Sequence, residues 1–572
     1  MMTSVSPPTL PSDLEIAQSA TLLPPVEIAA QLGIDEEYLV PYGRHVAKID
    51  PSVVNTMADR PMAKYVVITA ITPTPLGEGK TTTAVGLAQG LNHIGRTSVL
   101  TLRQPSMGPT FGIKGGAAGA GYSQVLPMEQ LNLHLTGDFH AVTAAHNMLA
   151  AMISNHLYHG NALDIDPQTI SWRRVMDVND RSLRYIVEGL GAREDGVTRQ
   201  TGFDITAASE VMTILSLSSS LQDLQQRLAR IVIGRNRMGD FVTAADLKAD
   251  GAMAVILKDA AWPNLLQTTE NTPVLIHAGP FGNIATGNSS VIADQVGIRT
   301  ADFVLTEAGF GADMGAERFF NVKCRISGLR PDIAVLVATV RSLKAHSGRY
   351  RIVPGRPLPE NLFEKAPEDV RAGAENLIKH IEIVKSFGVK PVVAINAFPN
   401  DHEADLREIE AIAAEAGVRC AITTHVMDGG AGAADLAREV LAASEQETDF
   451  RYTYDVSESL VSKIEAIATK VYGADGITIE KSAAKDLQLF EEKGFGNLPI
   501  VIAKTHLSIS HDPKLRGAPT GWKLPIREVR LAAGAGYVYA IAGSMRTMPG
   551  LGASPAAERI GLNEDGQVVG LF

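Results

Sequence analysis

The chain has 572 residues, 45% apolar and 20% charged, with 52 Lys+Arg against 63 Asp+Glu and a formal charge of −11. This composition excludes a disordered chain and argues against a nucleic-acid backbone as partner, and the length accommodates two to four domains of roughly 100–200 residues. Cys324 and Cys420 cannot staple such a chain, no apolar run reaches the roughly 18 residues that cross a bilayer, and no basic residue precedes Arg44. The expectation is a reduced, cytoplasmic protein with no secretory leader and no membrane partner.

The first 40 or so residues begin Pro-, Ser- and Thr-rich and then carry a short helical pattern, an arm expected to lie on the body. Lys64 to Ile71 (KYVVITAI) is a continuous β-branched run of the kind buried on both faces of a parallel sheet. A Thr/Pro/Gly turn follows. The spacing of Val85, Leu87, Ala88, Leu91 and Ile94 then predicts a helix from Thr81 to about Ile94, stopped by Gly95. Ser98 to Leu102 completes a strand–helix–strand unit. Further strands are predicted at 274–277, 303–306, 334–340, 392–396, 419–423 and 500–503. Helical spacing recurs in Leu221/Leu224/Leu228/Ile231, Leu377/Ile381/Val384 and Leu460/Ile464/Ile467/Val471. The fold class is α/β: a parallel-sheet nucleotide-binding core with two smaller α/β domains. The proline-rich stretch 353–367 and the charged, aperiodic stretch 445–454 place junctions that divide the chain into 1–355, 356–450 and 451–572.

Four predicted strands run into glycine-rich turns, at 72–80, 279–287, 307–315 and 429–432. Ligands of open α/β sheets bind outside the carboxyl ends of the strands, where glycines let backbone N–H groups come close. In the first turn, Thr72-Pro73-Thr74-Pro75-Leu76-Gly77-Glu78-Gly79-Lys80-Thr81 follows a strand and opens a helix, the context of a phosphate-binding loop. There the backbone wraps phosphates, Lys80 reaches the terminal ones and the Thr81 hydroxyl ligates Mg²⁺. Thr74 stands where the strict G-x-x-x-x-G-K-[ST] pattern wants glycine. The second strand leads into Arg103, whose planar fork suits a carboxylate or acyl phosphate. Gly112 to Tyr122 follows, with five glycines and Lys114 around which backbone could close on a small anion. His134, His140, His146, His156 and His159 cluster without the spacing of a helical zinc site, and metal ligation by them is not expected. No G-x-S-x-G, Cys-His constellation or G-x-G-x-x-G strand–helix turn is present. These residues imply an ATP-using enzyme acting on a small carboxylate.

Over essentially its whole length the sequence resembles the formate–tetrahydrofolate ligase (formyltetrahydrofolate synthetase) family. The loop TPLGEGKT resembles that family's T-P-x-G-E-G-K-T form. FGIKGGAAGAGY (111–122) is similar to one family signature, with Ala120 where glycine is usual, and VATVRSLKAH (337–346) to a second, with Ser342 and Ser347 departing from Ala and Gly. TEAGFGADMGAERFFNVKCR, YGADGI and RTMPGL add long matches. The resemblance implies ATP-dependent ligation of formate to tetrahydrofolate through formyl phosphate. It implies Mg-ATP bound at Thr74, Pro75, Leu76, Gly77, Glu78, Gly79, Lys80 and Thr81, with Lys80, Arg103 and Asp138 catalytic. Arg103, Lys114, Gly115 and Gly116 would hold the acyl phosphate, and residues 356–450 would contribute to the folate pocket. Small-molecule substrates, a monovalent cation and a homotetramer are implied as well.

The departures gather away from the loop. Gln104 stands where the family has an acid, Thr286 where it has a histidine, Asn288 a cysteine and Ala397 a lysine. Val426 replaces the tryptophan that, in the family, stacks on the pterin with the phenylalanine matching Phe398. Losing one face of that sandwich removes stacking worth about 1 kcal/mol or more. A diverged paralogue serving another acid or amine, and a non-catalytic nucleotide-binding protein, are the alternative readings.

Overall fold

Tyr65 and Val67 of the first predicted strand face one way, Val66 and Ile68 the other, and all four are buried in two separate clusters. Burial on both faces is why this strand reads as an unbroken apolar run. The computed structural model describes residues 10–114, 118–352, 357–543 and 545–571.

Twelve strands share one sheet: β1 Leu39–Pro41, β2 Ala47–Ile49, β3 Lys64–Ala70, β4 Ser98–Leu102, β5 Gly119–Ala120, β6 Ser123–Leu126, β7 Asn264–Thr268, β8 Pro273–Ile276, β9 Phe303–Glu307, β10 Ile333–Ala338, β11 Lys390–Asn396 and β12 Arg419–Thr423. The order is β1-β2-β7-β8-β4-β9-β3-β10-β11-β12, with β6 on β7 and β5 on β6. From β8 to β12 every neighbour is parallel. The antiparallel margin of β1, β2, β6 and β7 has no counterpart among the predicted strands. The predicted strands all form, within two residues at each end, but Ile500–Ala503 (β13) lies in a separate three-stranded sheet. Its partners there are β14 Glu528–Ala532 and β15 Tyr537–Ile541. The junction expected at 355–356 falls outside the described residues, and β11 beyond it pairs directly with β10.

Helix α1, Lys80–His93, starts at Gly79 and packs its buried Val85, Leu87 and Leu91 into the cluster on one sheet face. Helix α2, Asp138–Tyr158, anchors a second core with Glu210–Leu217, Leu221–Ala229 and Asp250–Leu257. Helix α3, Val340–His346, follows β10, and α4, Ala374–Ser386, buries Leu377, Ile381 and Val384 on the opposite sheet face. The expected arm places Asp13–Ser19 and Pro25–Gln31 against the body, where Leu23 and Gln267 exchange hydrogen bonds. Among the described residues no helix is long and apolar enough to cross a membrane.

Candidate active site

All four glycine-rich turns lie at the carboxyl edge of the parallel strands, because β3, β8, β9 and β12 run the same way. In the 72–81 turn, Gly79 has φ +72° and a Cβ there would sit 2.5 Å from Asn396 Nδ2, so both backbone sign and space require glycine. Thr74, which fills the position of the missing glycine, donates its N–H (2.7 Å) and hydroxyl (3.1 Å) to Glu78 Oε1. Its Oγ1 accepts from the Leu76 N–H at 3.3 Å, and its carbonyl from the Gly77 N–H at 3.2 Å. At position 74 the turn is thus closed by a side chain, while Gly77 and Gly79 keep the left-handed backbone. Burial raises the pKa of Glu78 while the neighbouring Lys80 ammonium, 3.9 Å away, pulls it back down. Pro75 and Gly77 are exposed at its tip.

The Thr81 hydroxyl donates to Glu307 Oε2 at 2.8 Å. Glu307 ends β9, the parallel neighbour of β3, and Asn288 Nδ2 fixes its carbonyl at 3.1 Å. A hydroxyl and a carboxylate are hard oxygen donors of the sort Mg²⁺ takes alongside phosphate oxygens, so this pair fits the ion that the sequence implied. Arg103 approaches from β4: its Nη1 donates to Pro280 O at 3.1 Å, burial lowers its pKa, and Glu307 opposes that shift. Lys80, Thr81, Glu307 and Arg103 therefore converge on one edge.

Beyond Arg103 the chain is pinned by Asp177, which accepts from Ser106 Oγ (2.5 Å) and the Met107 N–H (2.9 Å). Lys114 ends the wide helical turn Thr110–Lys114; Gly115 and Gly116 lie outside the described residues. The turn at 281–287 is held by Arg318, buried and lowered in pKa by desolvation, which donates to the carbonyls of Gly282, Asn283 and Ala285.

Asp138 stands apart from that edge. It begins α2 with its carboxylate buried, accepting from Lys48 Nζ (2.8 and 3.1 Å), Asn264 Nδ2 (2.8 Å) and Thr136 Oγ1 (3.2 Å). The next residue, Phe139, reaches Gly279: a Cβ on that glycine would lie 2.6 Å from the ring and 2.5 Å from the Gln104 carbonyl. Asp138 is therefore one layer behind the Arg103 segment.

Phe398 and Val426 follow the ends of the adjacent strands β11 and β12. Phe398 has the Arg341 guanidinium over its ring at 4.0 Å, and Arg341 also lies 5.1 Å from the Phe363 ring. Val426 is half-buried and accepts the Tyr122 N–H at 2.9 Å. Asn396, two residues before Phe398, donates to the Glu78 carbonyl at 3.2 Å, which joins this end of the sheet to the 72–81 turn. Of the departing residues, Gln104, Thr286 and Asn288 are buried; among the described residues neither amide atom of Gln104 has a partner, nor has Thr286 Oγ1 or Asn288 Oδ1. Ala397 is half-buried and donates its N–H to Thr423 O.

Sequence reasoning did not single out Lys48, Arg318 or Arg341, nor Glu307 as an acid. Only Glu307 carried a readable signal, an acidic residue closing the apolar run FVLT.

The fold and this edge define an α/β protein of the nucleotide-binding class. A family model described as formate–tetrahydrofolate ligase matches residues 11–572, and the chain belongs to that family. It is 68% identical to the formate–tetrahydrofolate ligase of Cutibacterium acnes over 561 residues, covering 98% of this chain and 100% of that protein. It is 64% identical to formate–tetrahydrofolate ligase 1 of Rubrobacter xylanophilus (98% and 99% covered) and 63% identical to the formate–tetrahydrofolate ligase of Saccharopolyspora erythraea (98% and 100% covered).

Proposed function

We propose that this chain ligates formate to tetrahydrofolate at the expense of ATP, giving formyltetrahydrofolate, ADP and phosphate. The observation that carries the reading is the 72–81 turn at the carboxyl edge of the parallel strands, in a chain that matches the ligase family from residue 11 to its end. In the first step an oxygen of formate attacks the γ-phosphorus of ATP. The bond to the bridging oxygen breaks and ADP leaves with its electron pair, so formyl phosphate forms. In the second, the folate's secondary amine attacks the formyl carbon, the carbon–oxygen bond to phosphate breaks, and the amine gives up its proton. Formate alone is a poor electrophile, and phosphorylation supplies the leaving group; the protein's work is positioning and charge stabilisation.

Lys80 has no hydrogen-bond partner among the described residues and only Glu78 as a nearby counter-charge, which supports a role on the transferring phosphoryl group. Arg103, with guanidinium donors left over after Pro280, suits the formyl phosphate, and the family resemblance assigns Lys114, Gly115 and Gly116 to the same ligand. Thr81 and Glu307 would hold the magnesium ion, which when bound screens charge on the phosphate oxygens. The family resemblance makes Asp138 catalytic near the amine, whereas its closed pairing with Lys48 behind the Arg103 segment supports a positioning role. Phe398 and Val426 flank the acceptor. The monovalent cation and the homotetramer belong to the same proposal through the family resemblance; the cytoplasmic location rests on the composition, and the division at 355 and 450 on the proline-rich and charged stretches.

The deciding experiment is ADP release by the purified chain with Mg·ATP, formate and tetrahydrofolate each present or omitted, with product read from the absorbance of the cyclised formyl-folate. Turnover that requires both co-substrates supports the reaction; ATP binding without it overturns the reading. Glu307→Gln keeps an oxygen for the Thr81 hydroxyl but removes the charge, and half-saturating Mg²⁺ is expected to rise about tenfold, read by titrating the ion at fixed ATP. Val426→Trp restores a second aromatic face and is expected to tighten tetrahydrofolate about fivefold in equilibrium titration. Unchanged or weaker binding points to a different amine acceptor, the reading that Gln104 and Val426 favour.

A further inference from the structure

Every polar group of Thr72, where β3 gives way to the phosphate loop, is held by a side chain from a distant part of the sequence. Its N–H donates to Asn376 Oδ1 at 3.0 Å, and its hydroxyl accepts from Asn376 Nδ2 at 2.9 Å. Its carbonyl accepts from His346 Nε2 at 2.9 Å. Asn376 on α4 and His346 on α3 are buried, and desolvation lowers the His346 pKa to about 4, so the ring is neutral and its Nε2 carries the donated hydrogen. The N–H groups of such a loop point where its two ends direct them. The Lys80 end is set by α1; the Thr72 end is set by this pair.

The same asparagine reaches the C-terminal part of the chain, since its Nδ2 also donates to Gly517 O at 2.9 Å. One carboxamide offers an acceptor and two hydrogens, and here all three are used. Three further ties join that segment to the site. Arg516 Nη1 donates to Ala345 O, beside His346, at 3.0 Å. Lys504 Nζ donates to Asp313 Oδ2 at 2.6 Å, and the His506 ring stacks on Phe310 at 4.7 Å. Asp313 and Phe310 belong to the turn after β9, which begins with Glu307. The segment Lys504–Gly517 is therefore bonded to both the root of the phosphate loop and the turn facing it.

We infer that Asn376 is a positioning residue for the nucleotide's phosphates, that His346 is its counterpart on the carbonyl side, and that Lys504–Gly517 is a strap holding this clamp in place. The inference rests on the reading of residues 72–81 as the phosphate site. Its test uses the full chain as Asn376→Ala, His346→Ala and His346→Gln, with ATP affinity measured by equilibrium dialysis, the KM for formate, and thermal melts. Both alanine variants are expected to weaken ATP about tenfold with the formate KM unmoved. His346→Gln, whose side-chain amide can donate to the Thr72 carbonyl, is expected to return ATP affinity to within about twofold of the parent. Unchanged ATP affinity in Asn376→Ala overturns the inference. So does a parallel loss of ATP and formate affinity with lowered melting temperatures and no recovery in His346→Gln, because that pattern reports general loosening. Failure of the underlying reading looks different: Lys80→Ala would then bind ATP as tightly as the parent chain, and the clamp would have no phosphate to position.

Discussion

Lys80→Ala is expected to lose formate-dependent ADP release by about 10²- to 10³-fold while the chain stays folded. The argument for the loss is placement. The ammonium sits in the first turn of α1 at the carboxyl edge of β3, with Glu307 and Arg103 converging from β9 and β4. A single cation aimed at charge that develops on a transferring phosphoryl group has no substitute in the loop, whose other contributions are N–H groups and hydroxyls. The argument for retained folding is that the Lys80 ammonium is held by little: among the described residues its charged neighbour is Glu78 at 3.9 Å, and its side chain makes no hydrogen bond. Removing it also removes the influence that holds down the pKa of Glu78, so this buried carboxyl takes up a proton more readily and an uncompensated charge is avoided. A coupled ADP assay alongside a urea melt separates the two effects. Near-normal turnover in a folded variant would remove the phosphate-loop assignment.

The parallel core was legible because strands buried on both faces must be spelled as continuous aliphatic runs, and Lys64–Ala70, Ser98–Leu102 and Ile333–Ala338 are of that kind. The antiparallel margin was not. Leu39–Pro41 and Ala47–Ile49 have three residues each, and β7 reads NLLQT, polar at three of five positions and so hard to tell from a loop. The 72–81 turn could be placed from context alone, yet what closes it could not, because the Thr74–Glu78 contact is a consequence of the folded turn. The remaining partners lie far apart in the chain: Glu307 is 226 positions from Thr81, and Asn376 is 304 from Thr72. Spacing patterns report neighbours on one element and carry no record of which strand ends become adjacent.

The departures from the family pattern take on weight once their surroundings are known. Gln104, Thr286 and Asn288 are buried near the strand ends that carry Arg103 and Glu307, and leaving a buried polar group unmet costs about 1–3 kcal/mol. Surface drift does not explain polar substitutions in such places, since solvent would have made them nearly neutral. At Val426 the carbonyl is held by the Tyr122 N–H and the side chain is half-buried, so part of a larger ring there would face solvent. The loop residues Thr74–Thr81 follow the family's form, whereas the strand ends carrying Arg103 and Glu307 hold three of the departures, and Phe398 is backed by Arg341.

Lys48→Met is expected to destabilise the chain by about 3–5 kcal/mol, because it leaves Asp138 charged and buried without its cation. Both side chains of the pair are almost wholly enclosed, at 2% and 3% exposure, and Lys48 also donates to Trp262 O at 2.9 Å. Asn264 and Thr136 still offer hydrogen bonds to Asp138, but neutral donors do not replace the ammonium. Adding Asp138→Asn to Lys48→Met removes the stranded charge and keeps an acceptor for Asn264, so about half or more of the lost stability is expected to return. Urea denaturation of the two single variants and the double variant measures this, and additive losses would deny that the two residues act as a pair. The double variant then separates position from charge at the start of α2. Turnover that returns with stability assigns Asp138 to holding Phe139 against Gly279 and the Arg103 segment. Turnover that stays lost in a stable chain assigns its carboxylate to the chemistry of the amine.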